Sequence, residues 1–167
     1  RELVKILERT LPRTVKLETE IAPNLHHVQG DYTQVYQVMM NLCVNALDAM
    51  PEGGALKICA SNAVLDELQT GSHPHALPGS FVRLSVSDTG VGIPEHLRST
   101  IFDPFVTTKA IGKGTGLGLS TVMNIVHNHQ GLIELESEVD KGTTFHCYLP
   151  SVTSSLNQSP SSHTNQR

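Results

Sequence analysis

This 167-residue sequence has no surplus of positive charge: 12 Lys and Arg stand against 16 Asp and Glu, a formal net charge of −4. Non-specific nucleic-acid binding relies on a basic footprint, so no nucleic-acid partner is expected. The sequence also lacks any run approaching the ~18 apolar residues that span a bilayer, and its first residues carry no secretory-signal pattern. No direct membrane contact is expected either. Cysteine is scarce. Cys43, Cys59 and Cys147 form an odd set without CxxC spacing, each inside an apolar pattern, and read as reduced core residues of a cytoplasmic protein. The nine histidines include no HExxH motif and no Cys/His cluster, and His127 and His129 lie two apart on a helical pattern and so point to different faces. A protein-held transition metal is therefore not expected. With 38% hydrophobic and 17% charged residues, the chain has enough apolar material for one core and too little charge for disorder.

Glycine is present in quantity and unevenly placed. Of 13 Gly, four fall between Gly112 and Gly118 and two flank Val91.

The first residue is not Met and a helical pattern is already running, so the chain reads as a fragment of a longer protein. Leu3, Ile6 and Leu7 sit at helical spacing until Pro12. Val15, Leu17, Thr19 and Ile21 alternate as a strand. Asp31 is placed to cap a long helix reaching Met50, with Val35, Val38, Met39, Leu42, Ala46 and Ala49 on its apolar face. Strands follow around Leu56–Ala60 and Phe81–Ser87, joined by a long polar connection over residues 66–80. A short helix is expected around Glu95–Ile101 and a longer one over Leu117–His129. Two strands, Leu132–Glu138 and Thr143–Leu149, close the domain. Residues 151–167 are Ser, Thr, Asn and Gln with almost no apolar side chains, which reads as a disordered polar tail or linker after a domain over residues 1–150. Hairpin-capable strands with helices that must share a face predict a two-layer α/β sandwich.

Three segments carry chemistry. In FVRLSVSDTGVGI, residues 81–93, period two puts Asp88 in line with the apolar Val82, Leu84 and Val86. A bend alone accounts for many Asp-x-Gly sequences, but Gly90 and Gly92 also let a flat ligand approach the backbone. A carboxylate only accepts hydrogen bonds, so it selects a base with an exocyclic amine, such as adenine, over one with a carbonyl there. In IGKGTGLGLS, residues 111–120, four glycines run into a helix that begins near Leu117, a natural anion site flanked by Lys109 and Lys113. Neither common phosphate motif fits. A Walker A loop ending at Lys113 requires Gly at Thr107, and a Rossmann pattern from Gly114 or Gly116 requires Gly at Leu119 or Thr121. In NLCVNALDAM, residues 41–50, Asn41, Asn45 and Asp48 form one polar stripe on a helix whose other side is core. Asn costs roughly half a kcal/mol or more against Ala in a helix interior. A solvated face accounts for one such Asn, while an amide oxygen is also a good ligand for Mg²⁺.

The order NLCVNALDAM, DTGVGI, FDPFVTTK, GKGTGLGLS resembles the N, G1, F and G2 boxes of the catalytic ATP-binding domain of sensor histidine kinases. That domain belongs to the GHKL superfamily with its Bergerat fold, a mixed, mostly antiparallel sheet packed on about three helices with a mobile ATP lid. The likeness runs over residues 1–150, including ESEVDKGTTFHCYLP. The resemblance implies that Asn45 binds Mg²⁺ and that Asp88 holds the adenine amine, with Gly90, Gly92 and Ile93 beneath the base. Phe102, Phe105 and Lys109 belong to a lid over about Pro94–Gly116. Lys113, Gly114, Thr115, Gly116, Leu117, Gly118 and Leu119 belong to the phosphate-binding turn, and Thr144 resembles the Thr near adenine. Gln130 stands where Gly is frequent in the family, and Asp48 where some members carry Lys.

Position 41 matters most. Hydrolysing relatives place a Glu four residues before the metal Asn to activate water. Asn41 cannot be that base, so the expected catalytic set of Asn41, Asn45 and Lys109 favours transfer. None of His26, His27, His73, His75 and His96 is followed by the family's phosphoacceptor sequence. The expected acceptor is a histidine-bearing dimerisation domain before Arg1, with a response-regulator receiver domain further along the pathway, in cis as in hybrid kinases or in trans. The alternatives are a GHKL-type ATPase and a non-catalytic adenine-nucleotide sensor.

Overall fold

The computed structural model describes residues 2–106 and 116–152. Its elements are α1 (Glu2–Thr10), β1 (Val15–Ile21), β2 (His27–Val28), α2 (Tyr32–Asp48), β3 (Gly54–Leu65), α3 (Glu67–Thr70), β4 (Gly79–Asp88), α4 (Glu95–Arg98), α5 (Gly118–Asn128), β5 (Leu132–Glu138) and β6 (Gly142–Val152). Six strands form one mixed sheet in the order β1-β3-β4-β6-β2, with β5 also on β6. The β1–β3 pair is parallel and the other pairs are antiparallel. Helices α1, α2 and α5 cover one face, as the two-layer reading requires.

Local chemistry explains the helices. Asp31 caps α2 by accepting from the backbone N–H of Thr33 (2.7 Å) and Gln34 (3.3 Å). Val38, Met39, Leu42, Cys43 and Ala46 of α2 are buried and meet Val122, Ile125 and Val126 of α5 in the core beneath the sheet. The sheet contributes its inward-facing set, Leu56, Ile58, Val86, Phe145, Cys147 and Leu149. Burial pushes the Cys43 and Cys147 thiols up to about 12, so both are inert core residues. Cys59 differs: it is half-buried on the outer face of the sheet, opposite Glu20 of β1.

Three details depart from the sequence expectations. Residues 66–80 are not only connection, because Asp66 and Gln69 form a capping box that starts α3. This segment buries Ala76 with Leu65, Phe81, Leu132 and Tyr148 in a second small cluster. The short strand β2 escapes the sequence pattern because only two residues pair, His27 with Val152 and Val28 with Ser151. That pairing also carries β6 two residues beyond the expected boundary at Pro150. Pro150 falls between the stretches where β6 pairs with β5 and with β2, a position where a missing N–H is tolerated. Residues 153–167 lie outside the described residues. Gln130, set where Gly is frequent in the family, takes φ +57°, the left-handed conformation that glycine adopts most easily.

Candidate functional site

The cleft opens where α2, the inner face of β4 and β6, and the start of α5 converge. Its volume is about 470 Å³, within the range of small-molecule sites. Ile93, Ile101 and Phe145 supply apolar walls, Asp88 and Thr143 lie at the sheet end, and Asn41, Asn45 and Asp48 line the helix side. The three segments read from the sequence therefore meet around one cavity.

Asp88 is buried at the last position of β4. The backbone N–H of Gly90 donates to its Oδ1 at 2.8 Å, so the bend expected from Asp-x-Gly is present. Burial pushes the carboxyl above the usual range, while the N–H groups of Gly90 and Thr143 pull it back down. The same carboxylate thus holds the turn and faces the cavity.

The glycines serve packing before ligand. A Cβ on Gly90 would overlap the Ala49 carbonyl at the end of α2, and one on Gly92, at φ +71°, would overlap the Glu138 carbonyl. Val91 N–H also donates to Ala49 O at 3.0 Å. Through these contacts the Asp88 loop is clamped to the helix that carries Asn45. Gly92 and Ile93 line the cavity, whereas Gly90 lies behind it.

On α2, Asn41 Nδ2 donates to the Gly118 carbonyl at 3.2 Å and so anchors the first turn of α5. Asn45 Nδ2 is buried and has no hydrogen-bond partner among the described residues. An orphaned buried amide is costly; a phosphate oxygen in the cavity would accept from it. Its amide oxygen would remain as a hard donor of the kind Mg²⁺ takes, with further oxygens coming from phosphates. No cluster of three or more His, Cys, Asp or Glu side chains suited to a metal exists among the described residues.

At the α5 end, Gly116, Gly118 and Leu119 line the cavity and Leu117 precedes the helix. Phe105 N–H donates to Gly116 O at 2.9 Å, so the chain before and after residues 107–115 is clasped. Gly116 takes φ +64°, and a Cβ there would lie 2.6 Å from the Phe105 backbone. Phe102 does not line the cavity; it packs edge-on behind Phe145, with ring centroids 6.1 Å apart. Lys109, Lys113, Gly114 and Thr115 lie outside the described residues.

Thr144 is displaced by one residue from the site. It pairs with Ser87, donating to Ser87 Oγ at 2.8 Å on the outer face. Thr143 pairs with Asp88 and lines the cavity instead. The signal was in the sequence: Thr143 is in phase with the apolar Phe145, Cys147 and Leu149, and Thr144 with His146 and Tyr148. Ser137, beside Thr143 on the inner face, was not singled out.

Residues 30–153 match the family model described as "Histidine kinase-, DNA gyrase B-, and HSP90-like ATPase". The chain belongs to that family. As an ATPase domain of this kind it is 41% identical over 149 residues to sensor kinase CckA of Brucella abortus, covering 89% of this chain and 16% of the relative. It spans well under half the length of the curated sensor kinases it matches. The catalytic domain of histidine kinase ThkA has a TM-score of 0.69 and 31% identity, covering 90% of both chains. Full-length ShkA in complex with AMPPNP shares the fold, with a TM-score of 0.72 and 24% identity over 93% of this chain and 30% of that one. Four sequence boxes and the two-layer sheet thus lead to one family, that of the histidine-kinase catalytic domain.

Proposed function

We propose that this domain binds ATP with Mg²⁺ and donates the γ-phosphoryl group to a histidine on a separate dimerisation and phosphoacceptor domain, in two-component signalling. The observation that carries this reading is the polarity of the cleft. Acceptors Asp88 and Thr143 lie at the sheet end, apolar Ile93 and Phe145 between, and at the helix end the Asn45 amide, which has no partner among the described residues. That sequence of surfaces suits a base with an amine, a flat ring and a phosphate chain.

Asn45 would hold the metal through its amide oxygen, and the metal would neutralise phosphate charge. Asn41 serves as a positioning residue, since its amide is committed to the start of α5. An amide at position 41 leaves no carboxylate there to activate water, which favours transfer to an incoming imidazole over hydrolysis. Lys109, Lys113, Gly114 and Thr115 complete the phosphate end in this reading, and residues 153–167 serve as a linker toward a receiver domain. No helix among the described residues is long and apolar enough to cross a membrane; the domain is proposed to work in the cytoplasm.

Mixing the domain with its histidine-bearing partner and ATP should produce acid-labile, alkali-stable phosphate on that partner. Tight ATP binding without such transfer to a folded partner would instead make the domain a nucleotide sensor. Phosphate release independent of any acceptor would make it a hydrolase.

A further inference from the structure

Leu56, Asp88, Thr143 and Ser137 lie in one row across β3, β4, β6 and β5 on the inner face of the sheet. Ser137 Oγ makes three polar contacts. It accepts from the Ile93 N–H at 2.8 Å, lies 3.1 Å from the Gly142 carbonyl oxygen, and lies 2.8 Å from Thr143 Oγ1. The Ile93 amide can only donate and the Gly142 carbonyl can only accept, while a serine hydroxyl has one proton. Ser137 therefore gives its proton to Gly142. The contact with Thr143 must then be donated by Thr143, whose single proton is directed at Ser137 and away from the cavity. Toward the cavity the Thr143 oxygen can only accept.

We propose that Ser137 is a positioning residue that fixes Thr143 as a second acceptor beside Asp88, so that the cleft selects a purine with a 6-amino group over one with a 6-oxo group. An exocyclic amine has two protons, one for each acceptor. A 6-carbonyl would face two oxygens with no proton between them, and a site built for a donor rejects a ligand that lacks it. The inference rests on the nucleotide reading above and adds the residue that sets its base preference.

Ser137 also holds Ile93 in the cavity wall, so base affinity and base choice must be separated. Loosening Ile93 weakens all nucleotides alike. Releasing the Thr143 proton weakens amino purines and relieves oxo purines. The test is calorimetric binding of ATP and ITP, each with magnesium, to wild type, Ser137→Ala, Ser137→Thr and Thr143→Val. Wild type should prefer ATP. Ser137→Ala should narrow the ATP-to-ITP affinity ratio about tenfold, Ser137→Thr should keep it, and Thr143→Val should narrow it while Ser137 still anchors Ile93. Should Ser137→Ala fail to fold, Thr143→Val decides by the same ratio. Equal weakening of both nucleotides by Ser137→Ala, or an unchanged ratio in Thr143→Val, overturns the inference while leaving the ATP site intact. A wild type that binds no ATP, or an Asp88→Asn variant with unaltered ATP affinity, overturns the nucleotide reading itself and this inference with it.

Discussion

Gly90 rests against the carbonyl of Ala49, with no room between them for a Cβ. This contact fixes the distance between the helix that carries Asn45 and the strand end that carries Asp88, and the Val91–Ala49 hydrogen bond locks it. Gly90→Ala must push the loop away from α2 or strain both. The expected result is a loss of about 1–3 kcal/mol of stability, read in thermal melts. ATP affinity should fall by more than the stability loss explains, because the two ends of the cleft lose their spacing. Unaltered melting and binding would show that the loop yields at no cost.

Asp88→Asn separates function from stability. Burial raises the Asp88 carboxyl above its ordinary value, so between an unfolded value of about 3.9 and the raised folded value the folded protein holds the extra proton. Stability then falls as pH rises through that window and stays lower above it. Asparagine cannot ionise, yet its amide oxygen can still accept from Gly90. The variant should therefore melt higher than the wild type at neutral pH, with the difference vanishing in acid. It should also lose ATP affinity, since the amide presents protons where the amine needs acceptors. Melting curves across pH and calorimetry check both halves.

Much of this arrangement was legible in the sequence because its signals are local. Asp31 marks the start of α2 and its exposed carboxylate reappears as a cap; the alternation of β4 placed Asp88 inward, where it is. Relations across the sheet were harder. Thr143 and Thr144 are adjacent, and only the pairing of β6 with Asp88 and Ser137 shows which one faces the cavity. The glycines misled in a different way. A glycine signals close approach without saying of what, and at Gly90 the approaching group is Ala49 rather than a ligand.

Asn45 should show the opposite balance to Gly90. Its Nδ2 is buried and has no partner among the described residues, so Asn45→Leu, close in shape, removes a desolvated donor. Apo stability should hold or rise by about 1 kcal/mol. Binding of ATP should lose its dependence on magnesium, because the amide oxygen proposed as the metal's protein ligand is gone. Calorimetry with and without magnesium reads this directly. A variant that keeps the wild-type magnesium dependence would assign the metal to other groups.

His127 near the end of α5 stacks on His75 of the 66–80 connection, with ring centroids 4.6 Å apart. Burial first, then the charges of His75 and His73, hold its imidazole below the usual histidine range. The sign follows from proton counts. Below an unfolded value of about 6.5 the unfolded chain binds the proton more readily than the folded one, so the contribution is fully present above that pH and is lost as pH falls. His127→Gln removes the titration and with it this acid sensitivity. Between about pH 8 and about pH 5.5 the wild type should lose more of its melting temperature than the variant, read in thermal melts of both proteins. Equal losses would show that the connection holds to α5 without regard to the charge of this histidine pair.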